Sequence, residues 1–180
     1  MKIRTALVML TMLMVGGLSA DAAETKIDSA TFGGLKARAI GPAVMSGRIS
    51  AMDGNATAPA TIWVGAASGG VWRSENAGVS FEPVFDDHTQ SIGAIRIDPS
   101  NPDTVWVGTG ETWVRNSVSV GDGVYRTTDG GETWEHLGLE ATERIAKIAV
   151  HPEEGDTVYV CATGRLWSAN PERGVYKTTD

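Results

Sequence analysis

Two segments of the sequence concentrate side chains suited to binding, GETWVRNSVSVGD (110–122) and GRLWSANPER (164–173). Each places a tryptophan beside arginine, asparagine and carboxylate groups, so that a flat apolar ring has several hydrogen-bonding neighbours. Such a combination suits carbohydrate stacking and the central residues of protein interfaces. The candidate ligand-binding residues are Glu111, Trp113, Arg115, Asn116, Asp122, Arg165, Trp167 and Arg173. The alternative is that both tryptophans pack against their own loops and that the charged groups are merely solvated.

The carboxylates in these segments raise the question of catalysis. A glycoside hydrolase acts between two carboxyl groups about 5 to 9 Å apart, and Glu111, Asp122 or Glu172 could supply one of them. A linear sequence gives no separation, so catalysis stands as an alternative to simple binding. The three histidines lack the spacing of metal ligands, and no glycine-rich loop continues into a phosphate-binding motif. We therefore expect neither a metal nor a cofactor.

The elements that must position these segments are repeated along the chain. The phrase GVYRTTDGGETW at 123–134 has relatives in GVWRSENAGVSF at 70–81 and GVYKTTD at 174–180. A second phrase precedes each copy and reads TIWVG, then TVWVG, then TVYVC. Self-similarity at an interval of about 45 to 50 residues predicts a repeat architecture.

Each repeat is a series of short segments rich in β-branched and aromatic residues and bounded by Gly, Pro, Asn or Asp, which predicts strands. Apart from the N-terminal segment, no stretch sustains the apolar periodicity of a helix. Four short strands in each unit are typical of a β-propeller blade. A sandwich would have no reason to repeat its turns, and a parallel β-helix would use shorter coils. We therefore predict an all-β fold, a partial β-propeller of about three four-stranded blades.

The two tryptophan-bearing segments are insertions in this scaffold. In the first repeat, 8 positions separate Trp63 from Val71, whereas the equivalent separations in the second and third repeats are 18 and 16. These links join the second and third strands of a blade, so both insertions are predicted to lie on the same face of the propeller. Extra chain on one face of a rigid scaffold is where binding residues concentrate. That face is the predicted binding surface.

The turn between the third and fourth strands of each blade carries a fixed set of polar and small residues. Asp129 can accept backbone N–H groups within its own turn, Gly131 can take a positive φ, and Trp134 offers a large apolar face for packing between blades. The residues assigned to these turns are Ser74, Asn76, Gly78, Phe81, Thr127, Asp129, Gly131, Thr133, Trp134 and Asp180. Because the carboxylate is used within its own turn, we predict a structural role for the motif.

The segment TTDGGETW (127–134) resembles the Asp-box, S/T-x-D-x-G-x-S/T-W/F, of BNR-repeat propellers, and SENAGVSF (74–81) fits it with Asn76 in place of the aspartate. The run ARAIGPAVMSGRIS (37–50), with IWVGAASGGVWRS (62–74), is also similar to the beginning of large secreted bacterial proteins with sortilin-type propellers, which are often labelled glycosyl hydrolases. The resemblance implies a propeller that binds a protein or a glycan, or one that hydrolyses glycosidic bonds.

The N-terminal segment has the layout of a secretory signal peptide, with basic residues, an apolar run and small residues at the cleavage point. We predict a signal peptide over 1–22, a lead-in over 23–46 and propeller blades over 47–180, in a secreted or periplasmic protein. The net charge of −7 argues against nucleic acid as a partner, and no membrane insertion is expected after cleavage. The expected partner is a protein, a peptide or a polysaccharide.

About three blades are fewer than the roughly four to eight of closed propellers. Because an open ring leaves strand edges and blade faces uncovered, we expect the chain to be part of a larger propeller, with a ring closed by several copies as the alternative. The sequence thus predicts an exported scaffold that binds a protein or glycan through its loop-bearing face. The alternative function is that of the N-terminal part of a glycoside hydrolase.

Overall fold

The computed structural model describes residues 48–116 and 118–179, and these residues form three antiparallel β-sheets. The predicted signal peptide, the predicted lead-in and Asp180 lie outside the described residues. The domain boundaries and export therefore remain predictions.

The three sheets follow one another along the chain, and each is a meander whose neighbouring strands are consecutive in sequence. Sheet 1 contains β1 (Ile49–Asn55), β2 (Ala58–Ala66), β3 (Gly70–Ser74) and β4 (Glu82–Pro83). Sheet 2 contains β5 (Ile92–Ile97), β6 (Val105–Thr109), β7 (Val124–Thr127) and β8 (Glu135–His136). Sheet 3 contains β9 (Ile145–Val150), β10 (Val158–Ala162) and β11 (Gly174–Thr178). The prediction of an all-β, partial propeller is confirmed, although sheet 3 has three strands in the described residues instead of four.

The sheets pack face to face around two apolar clusters, with the first strands β1, β5 and β9 side by side. One cluster, centred on Trp63, Phe85 and Val107, lies between sheets 1 and 2. The other, centred on Trp106 and Ile145, lies between sheets 2 and 3. Repeat-equivalent residues thus form equivalent interfaces, which is why the segment TIWVG recurs as TVWVG.

Glycine sets the distance between neighbouring sheets. A Cβ atom at Gly108 of β6 would overlap the buried side chain of Ile145, the first residue of β9. Gly65 has the same relation to Ile92 at the start of β5. The glycine two positions after the tryptophan in TIWVG and TVWVG is therefore required for close packing of consecutive sheets.

The turn after β7 is closed by its own side chains. The Oδ1 atom of Asp129 accepts hydrogen bonds from the backbone N–H of Thr133 at 2.9 Å and from the Thr127 hydroxyl at 2.7 Å, and the Thr133 hydroxyl donates to Oδ2 at 2.6 Å. The backbone N–H of Gly131, which has a φ of 95°, donates to the Thr127 hydroxyl at 2.9 Å. The hydroxyls of Thr133 and Thr127 hold the pKa of Asp129 well below its usual range.

The turn after β3 makes the same connections with an amide in place of the carboxylate. The Oδ1 atom of Asn76 accepts from the Ser80 N–H at 2.9 Å and from the Ser74 hydroxyl at 3.0 Å. Its Nδ2 atom donates to the Ser80 hydroxyl at 2.8 Å, so this one bond runs in the opposite direction to its counterpart at Thr133. An asparagine can therefore close the turn without a charge.

This comparison predicts an acid-sensitive contribution from Asp129. Its folded-state pKa lies below the unfolded value of about 3.9, so the stability that the carboxylate contributes is present above that value and is lost as the pH falls below it. At pH 7 we expect Asp129→Asn to have a lower thermal midpoint than the wild type. The difference between the two proteins should shrink between pH 5 and pH 2, measured by circular dichroism. A difference that stays constant over this range would contradict the prediction.

The aromatic residue of the second turn joins sheet 2 to sheet 1. The Nε1–H group of Trp134 donates to the carbonyl of Val84 at 2.7 Å. Its ring meets Trp63 edge to face at a centroid distance of 6.2 Å and Phe85 at 4.9 Å. The turn therefore places an indole, with its single donor satisfied, between the two sheets.

Candidate functional site

One end of the sheets carries the long connections. It is formed by the β4–β5, β6–β7, β8–β9 and β10–β11 connections, which we call the loop face, residues 84–91, 110–123, 137–144 and 163–173. Backbone hydrogen bonds cross-link its segments, with Gly110 donating to Ser91 at 2.6 Å and Gly121 donating to Glu143 at 2.8 Å. The side-chain amide of Asn170 donates to the carbonyl of Ala141 at 3.2 Å. The loop face is thus built from segments of successive sheets that support one another.

Two tryptophan rings project from this face. Trp113 is 68% exposed and Trp167 is 73% exposed. Val114 and Val120, in the same loop as Trp113, are also exposed. The guanidinium carbon of Arg48 lies 5.9 Å from the centre of the Trp113 ring, which leaves most of the ring in solvent. Both indoles are therefore accessible to a ligand.

Glu111 lies beneath the face and not on it. The residue is 2% exposed, and its carboxylate forms an ion pair with Arg48. Its backbone N–H donates to the carbonyl of Ser119 at 3.2 Å, and its own carbonyl accepts from Nε of the buried Arg144 at 3.1 Å. This placement differs from the exposed position that the loop sequence suggested. Glu111 fixes the start of the Trp113 loop and leaves little carboxylate surface for a ligand.

Asp122 ends the same loop and is held by three hydroxyl groups. Thr89 and Tyr125 donate to Oδ2 at 2.5 and 2.8 Å, and Thr109 lies 3.0 Å from Oδ1. Partial burial opposes ionisation, but these hydroxyl groups outweigh it and lower the pKa of Asp122. Burial and the neighbouring carboxylate raise the pKa of Tyr125 to about 12. Asp122 is therefore an ionised acceptor that ties the loop to β7.

The arginines of the β10–β11 loop have different surroundings. Arg173 closes its own loop, with Nε donating to the carbonyl of Thr163 at 2.6 Å and Nη2 donating to that of Arg165 at 2.7 Å. Arg165 pairs with Oε1 of Glu143 at 2.8 Å, while Oε2 of Glu143 pairs with the buried Arg144 at 3.0 Å. The side chain of Arg165 is half exposed and keeps donors on the surface. Arg173 instead donates to carbonyl groups of its own loop.

The structure thus separates the eight candidate residues into two sets. The exposed set comprises Trp113, Arg115, Asn116, Arg165 and Trp167. Glu111, Asp122 and Arg173 are engaged in contacts that shape the loops. Sequence reasoning did not identify the ion-paired residues Arg48, Glu143 and Arg144. A weak signal was present for the last two, because the charged pair directly precedes β9 where consecutive sheets meet.

Within residues 48–116 and 118–179, no group of three His, Cys, Asp or Glu side chains is arranged to hold a metal ion. None of the helical structure in these same residues has the length and apolar character needed to cross a membrane.

Comparison with known proteins places the fold. No family model and no curated protein matches the sequence. An ancestral GH74 enzyme is similar over 73% of this chain, with 23% identity and a TM-score of 0.58. The GH74 enzyme of Niastella koreensis is similar over 66% of this chain, with 22% identity and a TM-score of 0.52. The matched parts are 17% and 18% of those two chains, so this chain spans less than a fifth of their length. These likenesses agree with the predicted propeller architecture.

Proposed function

We propose that this chain is a glycan-binding propeller scaffold that holds a polysaccharide on its loop face, against Trp113 and Trp167. The observation that carries the proposal is the exposure of both indoles, 68% and 73%, on the two loops that are longer than their counterpart in sheet 1. Exposed apolar patches mark interaction sites, and Trp113 shares its loop with the exposed Val114 and Val120. The apolar face of a pyranose ring is a suitable partner for a flat indole.

The proposal is supported by the way the loops are held. The Trp113 loop is pinned at its start by Glu111 and at its end by Asp122, and the Trp167 loop is closed by Arg173. A loop that is already ordered loses less conformational entropy when a ligand binds. The exposed Arg115 and Arg165 add donors for sugar hydroxyl groups. Rings and donors together suit a ligand that is apolar on its faces and polar at its edges.

The structural neighbours support a carbohydrate ligand over a protein one. Both are GH74 enzymes, a glycoside hydrolase class. The resemblance of residues 74–81 and 127–134 to Asp-boxes, and the predicted export, agree with a protein that meets extracellular polysaccharide. A sortilin-type role in binding peptides is the alternative that the ligand test distinguishes.

The two carboxylates of the Trp113 loop favour binding over hydrolysis. A general acid in glycoside cleavage needs a carboxyl group with a raised pKa. Asp122 has a lowered pKa, and Glu111 is paired with Arg48. Asp122 therefore has no proton to donate at neutral pH, and the buried carboxylate of Glu111 is occupied by its ion pair.

Binding is tested with the full chain by affinity electrophoresis through gels that contain xyloglucan, mixed-linkage β-glucan, xylan or no polysaccharide. We expect retardation by at least one polysaccharide. Trp113→Ala and Trp167→Ala should each weaken binding about 5- to 10-fold, roughly 1 to 1.4 kcal/mol, because each removes one stacking surface.

Phe81→Ala is the matched control, because Phe81 is a partly exposed aromatic residue in the turn after β3, at the opposite end of the sheet from the loop face. Its affinity should equal that of the wild type. Migration unaffected by every polysaccharide would refute the proposal. Release of reducing ends by the wild type would replace it with the hydrolase alternative.

A further inference from the structure

A groove of about 360 Å³ lies between sheets 2 and 3, and none of its lining residues belongs to the two loops that carry the exposed tryptophans. Its lining is mainly apolar and comprises Trp106, Val124, Leu137, Leu139, Val160 and Tyr176. Most of these side chains belong to the apolar cluster between the two sheets, so the groove continues an interface that is already formed. The space at the equivalent position between sheets 1 and 2 indicates what the groove can bind.

Between sheets 1 and 2 the equivalent space is filled by Trp134. The repeat places Trp63 where Trp106 stands in the next interface, and Val84 where Leu137 stands. Trp134 packs edge to face on Trp63 and donates to the carbonyl of Val84 at 2.7 Å. The groove beside Trp106 therefore has the walls of an indole site and, at Leu137, a carbonyl in the position of the hydrogen-bond acceptor.

A strand edge runs beside this groove. In sheet 2, β7 pairs with β8 through Arg126 and Glu135, and the two side chains form an ion pair at 2.9 Å. In sheet 3, the strand equivalent to β7 is β11, which pairs with β10 and has no second neighbour among the described strands. Lys177 of β11 occupies the place of Arg126. The edge thus offers backbone groups for pairing and a cation for an acidic partner.

An arginine of β7 also has a nitrogen without a hydrogen-bond acceptor among the described residues. The guanidinium of Arg73 in β3 reaches the carbonyl of Gly130, in the turn that leads to Trp134. Arg126 is its equivalent in β7, and the Nε atom of Arg126 is buried without a hydrogen-bond acceptor among the described residues. A turn lying against Arg126 as the 129–134 turn lies against Arg73 would place a carbonyl beside this guanidinium.

We infer that the groove and the β11 edge form a binding site for one kind of partner, a β-strand that carries the sequence type Gly-Gly-x-Thr-Trp-Glu. The strand adds antiparallel to β11. Its indole enters the groove on Trp106 and donates to the carbonyl of Leu137, and its glutamate pairs with Lys177. Apolar burial, strand pairing and charge complementarity all select the same sequence.

The chain itself provides the probe, because residues 129–137, DGGETWEHL, have this sequence. A fluorescein-labelled peptide of this sequence is titrated with the full chain and followed by fluorescence anisotropy. We expect saturable binding, weakened at least 10-fold when alanine replaces the peptide tryptophan. Lys177→Glu in the protein should weaken binding at least 3-fold, and a peptide with lysine in place of the Glu135 residue should regain affinity for that variant.

Val79→Ala is the matched control, because Val79 is 85% exposed in the turn after β3 of sheet 1 and lines neither the groove nor the β11 edge. Its affinity for the peptide should be unchanged. Circular dichroism confirms that each variant is folded. Absence of binding at millimolar peptide, equal binding of the alanine peptide, or failure of the charge exchange would each overturn the inference.

Discussion

The Trp134→Ala variant is expected to unfold with a free energy about 3 to 5 kcal/mol lower than the wild type. The indole packs on Trp63 and Phe85, and its N–H group donates to the carbonyl of Val84. Removing it leaves a cavity between sheets 1 and 2 and an acceptor without its donor. Since each sheet is stabilised by its neighbour, the loss is expected to affect the whole unit. Urea unfolding followed by circular dichroism measures the change.

Two further variants make this test specific. Phe81 holds the equivalent position in the turn after β3, where it is 40% exposed, so Phe81→Ala should cost less than about 1 kcal/mol. Trp134→Phe retains an aromatic ring without the hydrogen bond and should have an intermediate stability. If Trp134→Ala were as stable as Phe81→Ala, the indole would not be what joins the two sheets.

The strands and turns could be predicted because the information for them is local and is repeated. A phrase such as TVWVG alternates around a buried aromatic residue, and TTDGGETW contains every donor and acceptor of its own turn. Each copy in the sequence supports the assignment of the others. Agreement between the three copies therefore gives evidence for the strands and turns that one copy alone would not give.

The loop face could be predicted only in part, because segments distant in the sequence decide whether a charged loop residue is buried or exposed. Glu111 and Trp113 stand two positions apart in a polar loop, yet one is buried and the other is exposed. The difference arises from Arg48, which is 63 positions away from Glu111 and forms its ion pair. Asp122 likewise depends on Thr89, in the preceding inter-sheet connection. No pattern within the loop itself encodes these contacts.

The exposed surface of sheet 3 follows from the same dependence on neighbours. Tyr159 is 44% exposed and Val175 is 72% exposed, whereas the repeat-equivalent Trp106 and Val124 are both buried against sheet 3. The residue type at these positions is conserved between repeats, but burial requires a following sheet. Sequence predicts which face is apolar, and the neighbouring element decides whether that face is covered.

Replacing residues 112–118 by a short Gly-Ser link is expected to weaken polysaccharide binding at least about 30-fold, roughly 2 kcal/mol, while leaving the fold intact. Sheet 1 closes the equivalent link in far fewer residues, so the sheets do not require this excursion. The replacement retains the hydrogen bond from Glu111 to Ser119 and the contacts of Asp122 that anchor the ends of the loop.

The loss should exceed that of Trp113→Ala, because the exposed Arg115 and Asn116 leave together with the indole. Affinity electrophoresis measures binding, and an unchanged thermal midpoint shows that the sheets remain folded. A matched replacement in the turn between β9 and β10, residues 152–156, lies at the other end of sheet 3 and should leave binding unchanged. Since the Trp167 loop would still be present, weak residual binding is expected. Binding as tight as that of the parent would exclude the Trp113 loop from the binding site.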